Sequence, residues 1–124
     1  MIVGLGIEAV DVSRFEASLD RFGDRLRRRL FTARECAYAA ARSRGAESLA
    51  VRFAAKRAAR QALGKPGLPW RDLEIVREGR GAPTLCLHGA AAEAARSLGV
   101  DRMSISLTHD RRWCLGHVVL ESNS

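Results

Sequence analysis

The stretch Leu49-Ala-Val-Arg-Phe-Ala-Ala-Lys-Arg-Ala-Ala-Arg-Gln-Ala-Leu-Gly64 decides the fold of this chain. It is rich in alanine and has no β-branched residue after Val51, and it ends at Gly64 with Pro66 just behind. These features predict a helix that stops at Gly64. Leu49, Phe53 and the alanines would supply its packing surface.

The same helix carries a stripe of positive charge. Arg52, Lys56 and Arg60 lie four residues apart and so share one face, with Arg57 beside them. The stripe has no acidic residue, and like charges at this spacing cost roughly 0.2–0.5 kcal/mol per pair. We therefore expect an anion along it, or acidic side chains from elsewhere in the fold. A solvated basic face is the alternative interpretation.

The composition predicts one domain spanning residues 1–124, large enough to bury a core. With 21 basic and 14 acidic residues, the chain has a net charge of +7, which favours an acidic partner such as nucleic acid, an acidic protein or a phosphorylated ligand.

Cys36, Cys86 and Cys114 are odd in number and follow no paired spacing, which predicts buried thiols in a reducing cytoplasm. No signal peptide or membrane span is expected, since the apolar runs fall far below ~20 residues.

The order of the remaining patterns predicts an α+β domain with a mostly antiparallel sheet packed against helices. Strands are expected near the N-terminus, in a central hairpin and in a final hairpin, and helices between them. The expected strands are Ile2–Val10, Leu73–Arg77, Thr84–His88, Met103–His109 and Trp113–Glu121, and the expected helices begin at the capping boxes Ser13–Glu16 and Thr32–Glu35, at Leu49 and at Ala90.

The first strand would place Gly4, Gly6 and Glu8 on one face. The two glycines leave open space beside the carboxylate, which suits a ligand or another backbone in close approach. Glu8 is therefore a candidate metal ligand, although one carboxylate alone is a weak signal.

The first predicted helix changes character along its length. Phe15, Leu19, Phe22 and Leu26 recur at helical spacing and predict a buried stripe. The helix then becomes strongly basic over residues 25–29. This end is either solvated and stabilised by the helix dipole, or it is a docking surface for an acidic protein.

Histidine at the end of a strand is a further candidate. His109 precedes a turn, where it could serve as a general base or donate a hydrogen bond to phosphate, and a structural role is the alternative. No nucleophile elbow, phosphate-binding loop or zinc spacing is present in the sequence. Pattern alone thus predicts a basic α+β domain that binds an anion.

Several segments, in order, carry a resemblance to a known family. Ile2-Val-Gly-Leu-Gly-Ile-Glu8 is similar to its GxGxD strand, and Arg52-Phe-Ala-Ala-Lys-Arg-Ala58 matches its RFAAKEA segment in six of seven positions. Matches to its L-T-x-x-E, G-K-P, S-x-T-H and V-V-L-E segments occur at Leu30–Glu35, Gly81–Pro83, Ser106–His109 and Val118–Glu121. From end to end the chain resembles the short holo-acyl-carrier-protein synthases, which are small 4′-phosphopantetheinyl transferases.

The resemblance implies an α+β fold and a homotrimer with active sites at the subunit interfaces. It also implies transfer of the 4′-phosphopantetheine arm of coenzyme A to a serine of an acyl carrier protein, with release of 3′,5′-ADP. In the family, Mg²⁺ bridges the coenzyme A pyrophosphate to two carboxylates, at the positions of Glu8 and Arg57. Such an ion neutralises charge that develops on the leaving group.

Roles for individual residues follow from the same resemblance. The catalytic candidates are His109, Glu8 and Lys56. The candidates for binding coenzyme A are Arg52, Lys56, Arg57, Arg60, Thr108 and His109. The acidic carrier protein would dock on the first helix, at Arg14, Arg25, Arg28 and Arg29.

The chain departs from the family at the metal site. Glu8 replaces an Asp, Arg57 replaces the second carboxylate, and Gln61 replaces a Lys that approaches phosphate. A guanidinium at position 57 repels a divalent cation and can pair with Glu8 instead. Mg²⁺ binds through few protein carboxylates, so this charge reversal should remove most of its affinity.

Three hypotheses follow. The chain is a phosphopantetheinyl transferase that is weak or independent of Mg²⁺, in which Arg57 contacts the pyrophosphate directly. Alternatively, it is a repurposed enzyme acting on an acyl group held by a fatty-acid or polyketide carrier protein, with His109 and Glu8 as acid and base. In the third, it is a non-catalytic subunit that binds the carrier protein. A nucleic-acid partner also fits the charge, but no nucleic-acid motif supports it.

Overall fold

The computed structural model describes residues 1–123. One strand, three helices, a strand pair, a fourth helix and a second strand pair follow one another in the α+β order that the sequence predicts. The elements are β1 Ile2–Asp11, α1 Val12–Leu30, α2 Ala33–Ala40, α3 Gly45–Leu63, β2 Leu73–Val76, β3 Thr84–Leu87, α4 Gly89–Ser97, β4 Arg102–His109 and β5 Trp113–Glu121, with a short 3-10 turn at Trp70–Asp72 before β2.

Both sheets are antiparallel. The larger one has the order β1–β5–β4, and β2 pairs with β3 in a separate ribbon. Helix α3 lies across one face of the larger sheet and contributes alanines to both hydrophobic clusters of the structure. It is the element on which the rest of the chain packs.

The glycine face of β1 is filled by the backbone of α3. A Cβ atom at Gly6 would lie 1.9 Å from the carbonyl oxygen of Ala58, and one at Gly4 would lie 2.1 Å from that of Ala62. Of the two expected occupants, ligand or backbone, the structure shows the backbone.

The opposite face of the larger sheet is exposed, and its β1 strand presents apolar side chains there. Leu5 and Ile7 are 63% and 53% exposed, and they pair across the sheet with Val119 and His117. No helix of the described residues covers this face, because α3 occupies the other one.

Helix α1 differs from the prediction at two points. Its N-cap is Asp11, whose side chain accepts the backbone N–H of Arg14, so the predicted capping box at Ser13 is wrong. Gly23 adopts a left-handed φ of 59° and kinks the helix, which leaves Phe22 53% exposed rather than buried.

Two other helix signals are confirmed. Thr32 and Glu35 form the predicted capping box at the start of α2, with both reciprocal hydrogen bonds present. Gly64 ends α3 in the left-handed conformation, with a φ of 68°. Helix α3 begins at Gly45, earlier than its predicted start near Leu49.

Two further predictions concern the burial of the cysteines and helices that could span a membrane. Cys114 is buried, but Cys36 and Cys86 are only half-buried, so the predicted burial holds for one thiol of three. Within residues 1–123, no helix combines the length and apolar character needed to cross a bilayer.

Candidate functional site

The positive stripe of α3 faces the protein interior. Lys56 is fully buried, and its Nζ lies 2.7 Å from Glu35 Oε1 while it donates to the carbonyl oxygens of Trp70 at 2.9 Å and Leu73 at 2.6 Å. Burial lowers the pKa of Lys56, and the Glu35 carboxylate opposes that shift. An ammonium has three protons, so none remains for a phosphate. This does not agree with the expected catalytic and phosphate-binding roles of Lys56.

The arginines of the stripe are held by aromatic rings. The Arg52 guanidinium lies 4.2 Å over the ring of Tyr38 and donates to Ser48 Oγ at 2.8 Å, and Arg52 is 5% exposed. The Arg60 guanidinium lies 3.2 Å over the ring of Trp70. Burial lowers the pKa of both arginines, and the nearby charge of Arg29 adds to the effect on Arg60.

Only Lys56 of the stripe has a carboxylate as its partner within the fold. An acidic side chain from another element, Glu35 of α2, neutralises Lys56, as one of the expected alternatives proposed. The stripe is not a solvated face, because Lys56 and Arg52 are buried and Arg60 is partly covered by Trp70. Arg57 and Arg60 both line the cleft beside Glu8, and Arg57 is the one that contacts the Glu8 carboxylate.

Arg57 forms an ion pair with Glu8. Its Nη2 lies 3.2 Å from Glu8 Oε2, and its Nη1 donates to the carbonyl oxygen of Ala9 at 3.1 Å. Only one oxygen of Glu8 takes part, so the pair is not the bidentate contact that an arginine at position 57 could form with a carboxylate. Beside it, Gln61 Oε1 accepts the N–H of Ile7 at 2.7 Å, which ties α3 to β1 at this point.

The surroundings of Glu8 do not fit Mg²⁺. A cleft of about 390 Å³ opens at the pair, lined by Glu8, Arg57, Arg60, Gln61, Gly64, Pro66 and Trp70. Glu8 is the single carboxylate among these lining residues, and a cation already lies against it. Mg²⁺ needs oxygen ligands that bring negative charge, and Arg57 already neutralises the single carboxylate that lines this cleft.

A second cleft adjoins the first, with Arg57 lining both. It has a volume of about 370 Å³ and is lined by Arg14, Ser18, Phe53 and Trp113, among others. Arg14 projects from the first turn of α1, where its backbone is fixed by Asp11. Farther along α1, Arg25, Arg28 and Arg29 are exposed.

His109 lies in a third, strongly basic cleft. Its Nδ1 is 2.9 Å from Glu47 Oε1, and Arg44 Nη1 lies 3.4 Å from the other oxygen of Glu47. The cleft, about 590 Å³, contains four arginines; its charged and polar lining residues include Arg42, Arg44, Arg52, Arg77, Tyr38, Glu47, Thr108 and His109. Four cations against one carboxylate suit a phosphorylated ligand.

Sequence reasoning missed much of this cleft. Arg42, Arg44 and Glu47 belong to a segment that the sequence presents only as a connector and the first turn of a helix. The dense charge around Ser43 is the one signal that could have drawn attention to it. Arg77, directly after β2, and Tyr38, on α2, also line the cleft, and only the tertiary fold brings them there.

Glu8 and His109 do not share a site within one chain. Glu8 is on β1 and His109 is on β4, and β5 runs between these two strands. Two strand spacings separate their backbones by about 10 Å. The hypothesis that they act together as acid and base therefore gains no support from the geometry of a single chain.

Comparison with known proteins places this fold. Residues 4–116 match the profile of the 4′-phosphopantetheinyl transferase superfamily. A holo-acyl-carrier-protein synthase of Anaeromyxobacter sp. strain K is 46% identical over 125 residues, covering 98% of this chain and 97% of the relative.

Solved structures agree with the sequence comparison. The holo-acyl-carrier-protein synthase of Neisseria meningitidis superposes with a TM-score of 0.90 at 27% identity, covering 98% of this chain and all of the other. That of Bacillus anthracis, determined in complex with coenzyme A (3′,5′-ADP), gives a TM-score of 0.79 at 31% identity, covering 99% of each chain.

The chain belongs to the 4′-phosphopantetheinyl transferase superfamily. Within it, the relatives that match over nearly the full length are holo-acyl-carrier-protein synthases. The predicted family, the predicted α+β fold and the holo-acyl-carrier-protein synthase-like character of the chain are thereby confirmed.

Proposed function

We propose that this protein transfers the 4′-phosphopantetheine arm of coenzyme A to a serine of an acidic acyl carrier protein, and that it does so without Mg²⁺. The observation that carries the proposal is the Arg57–Glu8 pair, in which a fixed cation lies where the metal would bind. The full-length similarity to holo-acyl-carrier-protein synthases supports the reaction itself.

Arg57 supplies the positive charge in this scheme. A guanidinium has five N–H donors, and the two contacts to Glu8 and Ala9 leave several for the oxygens of a pyrophosphate. The carrier serine Oγ forms a bond to the phosphorus next to the pantetheine arm, and the bond from that phosphorus to the bridging oxygen breaks. The negative charge leaves on 3′,5′-ADP, stabilised by Arg57, and Glu8 accepts the serine proton.

The basic cleft around His109 would bind further phosphate of coenzyme A. Thr108, His109 and Arg52 line it, as the resemblance suggests, together with the additional arginines. Glu47 fixes the His109 ring by its contact to Nδ1, which leaves Nε2 available to the ligand. Arg60 belongs to the Glu8 cleft instead, where it stacks on Trp70.

We further propose a homotrimer with sites between subunits. The Glu8 cleft and the His109 cleft lie apart on one chain, so a complete site needs two copies. The exposed apolar sheet face of Leu5 and Ile7 provides a surface that a second copy can bury. An assembly through this face would bring sheets of different subunits together.

The carrier protein would dock on the basic surface of α1. Arg14 lies beside the cleft that Arg57 shares, and Arg25, Arg28 and Arg29 extend the positive charge along the same helix. The kink at Gly23 exposes Phe22 next to this surface, which adds an apolar contact. We propose a cytoplasmic location, since the three cysteines are free thiols.

One assay tests the reaction. The protein is incubated with coenzyme A and an apo-acyl carrier protein, with Mg²⁺ or with EDTA, and the mass of the carrier is measured. A phosphopantetheine increment that persists in EDTA is the expected result. An increment only with Mg²⁺ would contradict the metal-free mechanism, and none in either condition would contradict the transferase activity.

Assays with the same protein and carrier also distinguish the other two hypotheses. A repurposed enzyme would change the mass or the ultraviolet spectrum of carrier-bound acyl substrates, and His109→Ala or Glu8→Gln would abolish that change. Carrier binding without any turnover would identify a non-catalytic subunit.

A further inference from the structure

The β2–β3 ribbon carries three metal-binding side chains outside the clefts described above. Glu74 on β2 pairs directly with Cys86 on β3, and His88 follows Cys86 by two residues in extended backbone. Alternation along a strand places the three side chains on one face. A Glu74 oxygen, the Cys86 Sγ and a His88 ring nitrogen lie within 4.8 Å of one another.

We propose that this cluster binds a thiophilic divalent cation, with Zn²⁺ as the ion that fits it best. Thiolate sulfur, imidazole nitrogen and carboxylate oxygen are the three ligand types of Zn²⁺ in proteins. Bond lengths of about 2.0–2.3 Å in a tetrahedron place ligand atoms roughly 3.3–3.8 Å apart, so the cluster needs to close by about 1 Å. A fourth position would remain for water or another ligand.

The ligands are held by a rigid framework. Glu74 is buried, and its Oε2 accepts the Thr32 hydroxyl at 2.5 Å, which orients Oε1 toward His88 Nε2 at 3.0 Å. The backbone of His88 is fixed by its N–H to the carbonyl oxygen of Asp72 at 2.9 Å. Ligands on such preorganised elements need little rearrangement to accept an ion.

Arg34 is the competitor for this site. Its Nη2 lies 2.9 Å from the same Glu74 Oε1, and its side chain is 62% exposed. Because Glu74 is buried, this pair is stronger than one between two exposed side chains, but the exposed Arg34 guanidinium can move into solvent when a divalent cation replaces its charge at Glu74. The metal therefore replaces Arg34 at Glu74 Oε1.

The competition makes the site testable. Untagged full-length protein is stripped with EDTA, transferred to metal-free buffer and titrated with Co²⁺, which reports thiolate ligation by a charge-transfer band in the near ultraviolet. We expect this band to saturate at one equivalent and to disappear when Zn²⁺ is added. Absence of the band from the unmodified protein would overturn the proposal.

Four variants locate the ion. Cys86→Ser should abolish the band and Cys36→Ser, which removes another half-buried thiol, should retain it. His88→Ala should weaken Co²⁺ binding by more than about tenfold, since loss of a partner outside the ligand shell already costs roughly 10–100-fold. Arg34→Ala should tighten binding, and this gain cannot arise from misfolding.

Two results would refute the site as drawn. A band that persists in Cys86→Ser would place the metal on another thiol. Equal Co²⁺ affinity of Arg34→Ala and the unmodified protein would show that Glu74 Oε1 is not a ligand. Circular dichroism of each variant without metal checks that the fold is intact.

Discussion

The Arg57 guanidinium lies 3.2 Å from the Glu8 carboxylate across the seam between α3 and β1. Both side chains are partly exposed, at 40% and 26%, so the pair lies at the edge of a cleft rather than in the core. Partly exposed ion pairs contribute only about 0–1 kcal/mol, so this pair adds little to the stability of the fold.

Replacing Arg57 by Glu should create a Mg²⁺ site. The variant would present two carboxylates to the ion in place of one carboxylate and one cation. Carboxylate oxygens are the ligands that Mg²⁺ prefers. We expect Mg²⁺ affinity to rise by at least about tenfold, or about 1.4 kcal/mol, in calorimetric titration.

Arg57→Gln is the matched control, since it removes the cation without adding a carboxylate. It should bind Mg²⁺ more weakly than Arg57→Glu and should lose transferase activity in EDTA. Identical titration curves for Arg57→Glu and the unmodified protein would show that position 57 does not face the metal site.

Lys56 should be essential for stability rather than for phosphate binding. Lys56→Met leaves Glu35 buried without its charged partner, and breaking a buried pair in this way costs about 3–5 kcal/mol. Urea denaturation followed by circular dichroism measures this loss. Lys65, the only other lysine and an exposed one, provides the control, because Lys65→Met should change stability by less than about 0.5 kcal/mol.

Local chemistry makes two helix boundaries predictable, whereas the burial of charged side chains is not predictable from it. The Thr32–Glu35 capping box and the Gly64 stop depend on neighbouring residues only, and both are as expected. The orientation of Lys56 depends on Glu35, which is distant in the chain, and a pattern of charges at helical spacing does not distinguish an exposed face from a neutralised one. Repulsion among like charges on one helix face therefore predicts either an external anion or acidic side chains from another element, without deciding between them.

The same limit applies to the candidate sites. The family motifs located Glu8, Arg57 and His109, but they carry no information on which clefts join within one chain. The Glu74–Cys86–His88 cluster depends on strand register. The sequence predicts a hairpin here, but not which residues pair across it. Regular helical spacing predicts that Phe22 belongs to the buried stripe, because it takes no account of a kink at Gly23.

The close approach of α3 to β1 should tolerate no side chain at Gly6. A methyl group there would lie 1.9 Å from the carbonyl oxygen of Ala58, and the helix backbone cannot yield without separating from the sheet. We expect Gly6→Ala to cost about 3 kcal/mol or more in urea denaturation, at the upper end of overpacking effects. Gly67→Ala, where a methyl group meets open space, should leave stability nearly unchanged.

A charge on the exposed sheet face should disrupt the proposed trimer. Leu5→Glu places a carboxylate where the apolar surface of a second copy would pack, and burying it unpaired is strongly unfavourable. Light scattering after size exclusion should report a monomer that retains its circular dichroism spectrum. Leu98→Glu, at the exposed C-cap of α4, should leave the assembly intact, and an unmodified protein that is already monomeric would refute the trimer.

Carrier docking on α1 should depend on charge. Arg28→Glu together with Arg29→Glu reverses two exposed cations on the proposed docking surface, where an acidic carrier would meet like charge. We expect the KM for the carrier protein to rise by about tenfold or more, with kcat changed little, and the effect to diminish at high salt. Arg80→Glu, in the exposed loop between β2 and β3, carries a single reversed charge away from α1 and should alter the KM far less. An unchanged KM in the α1 double variant would place the docking surface elsewhere.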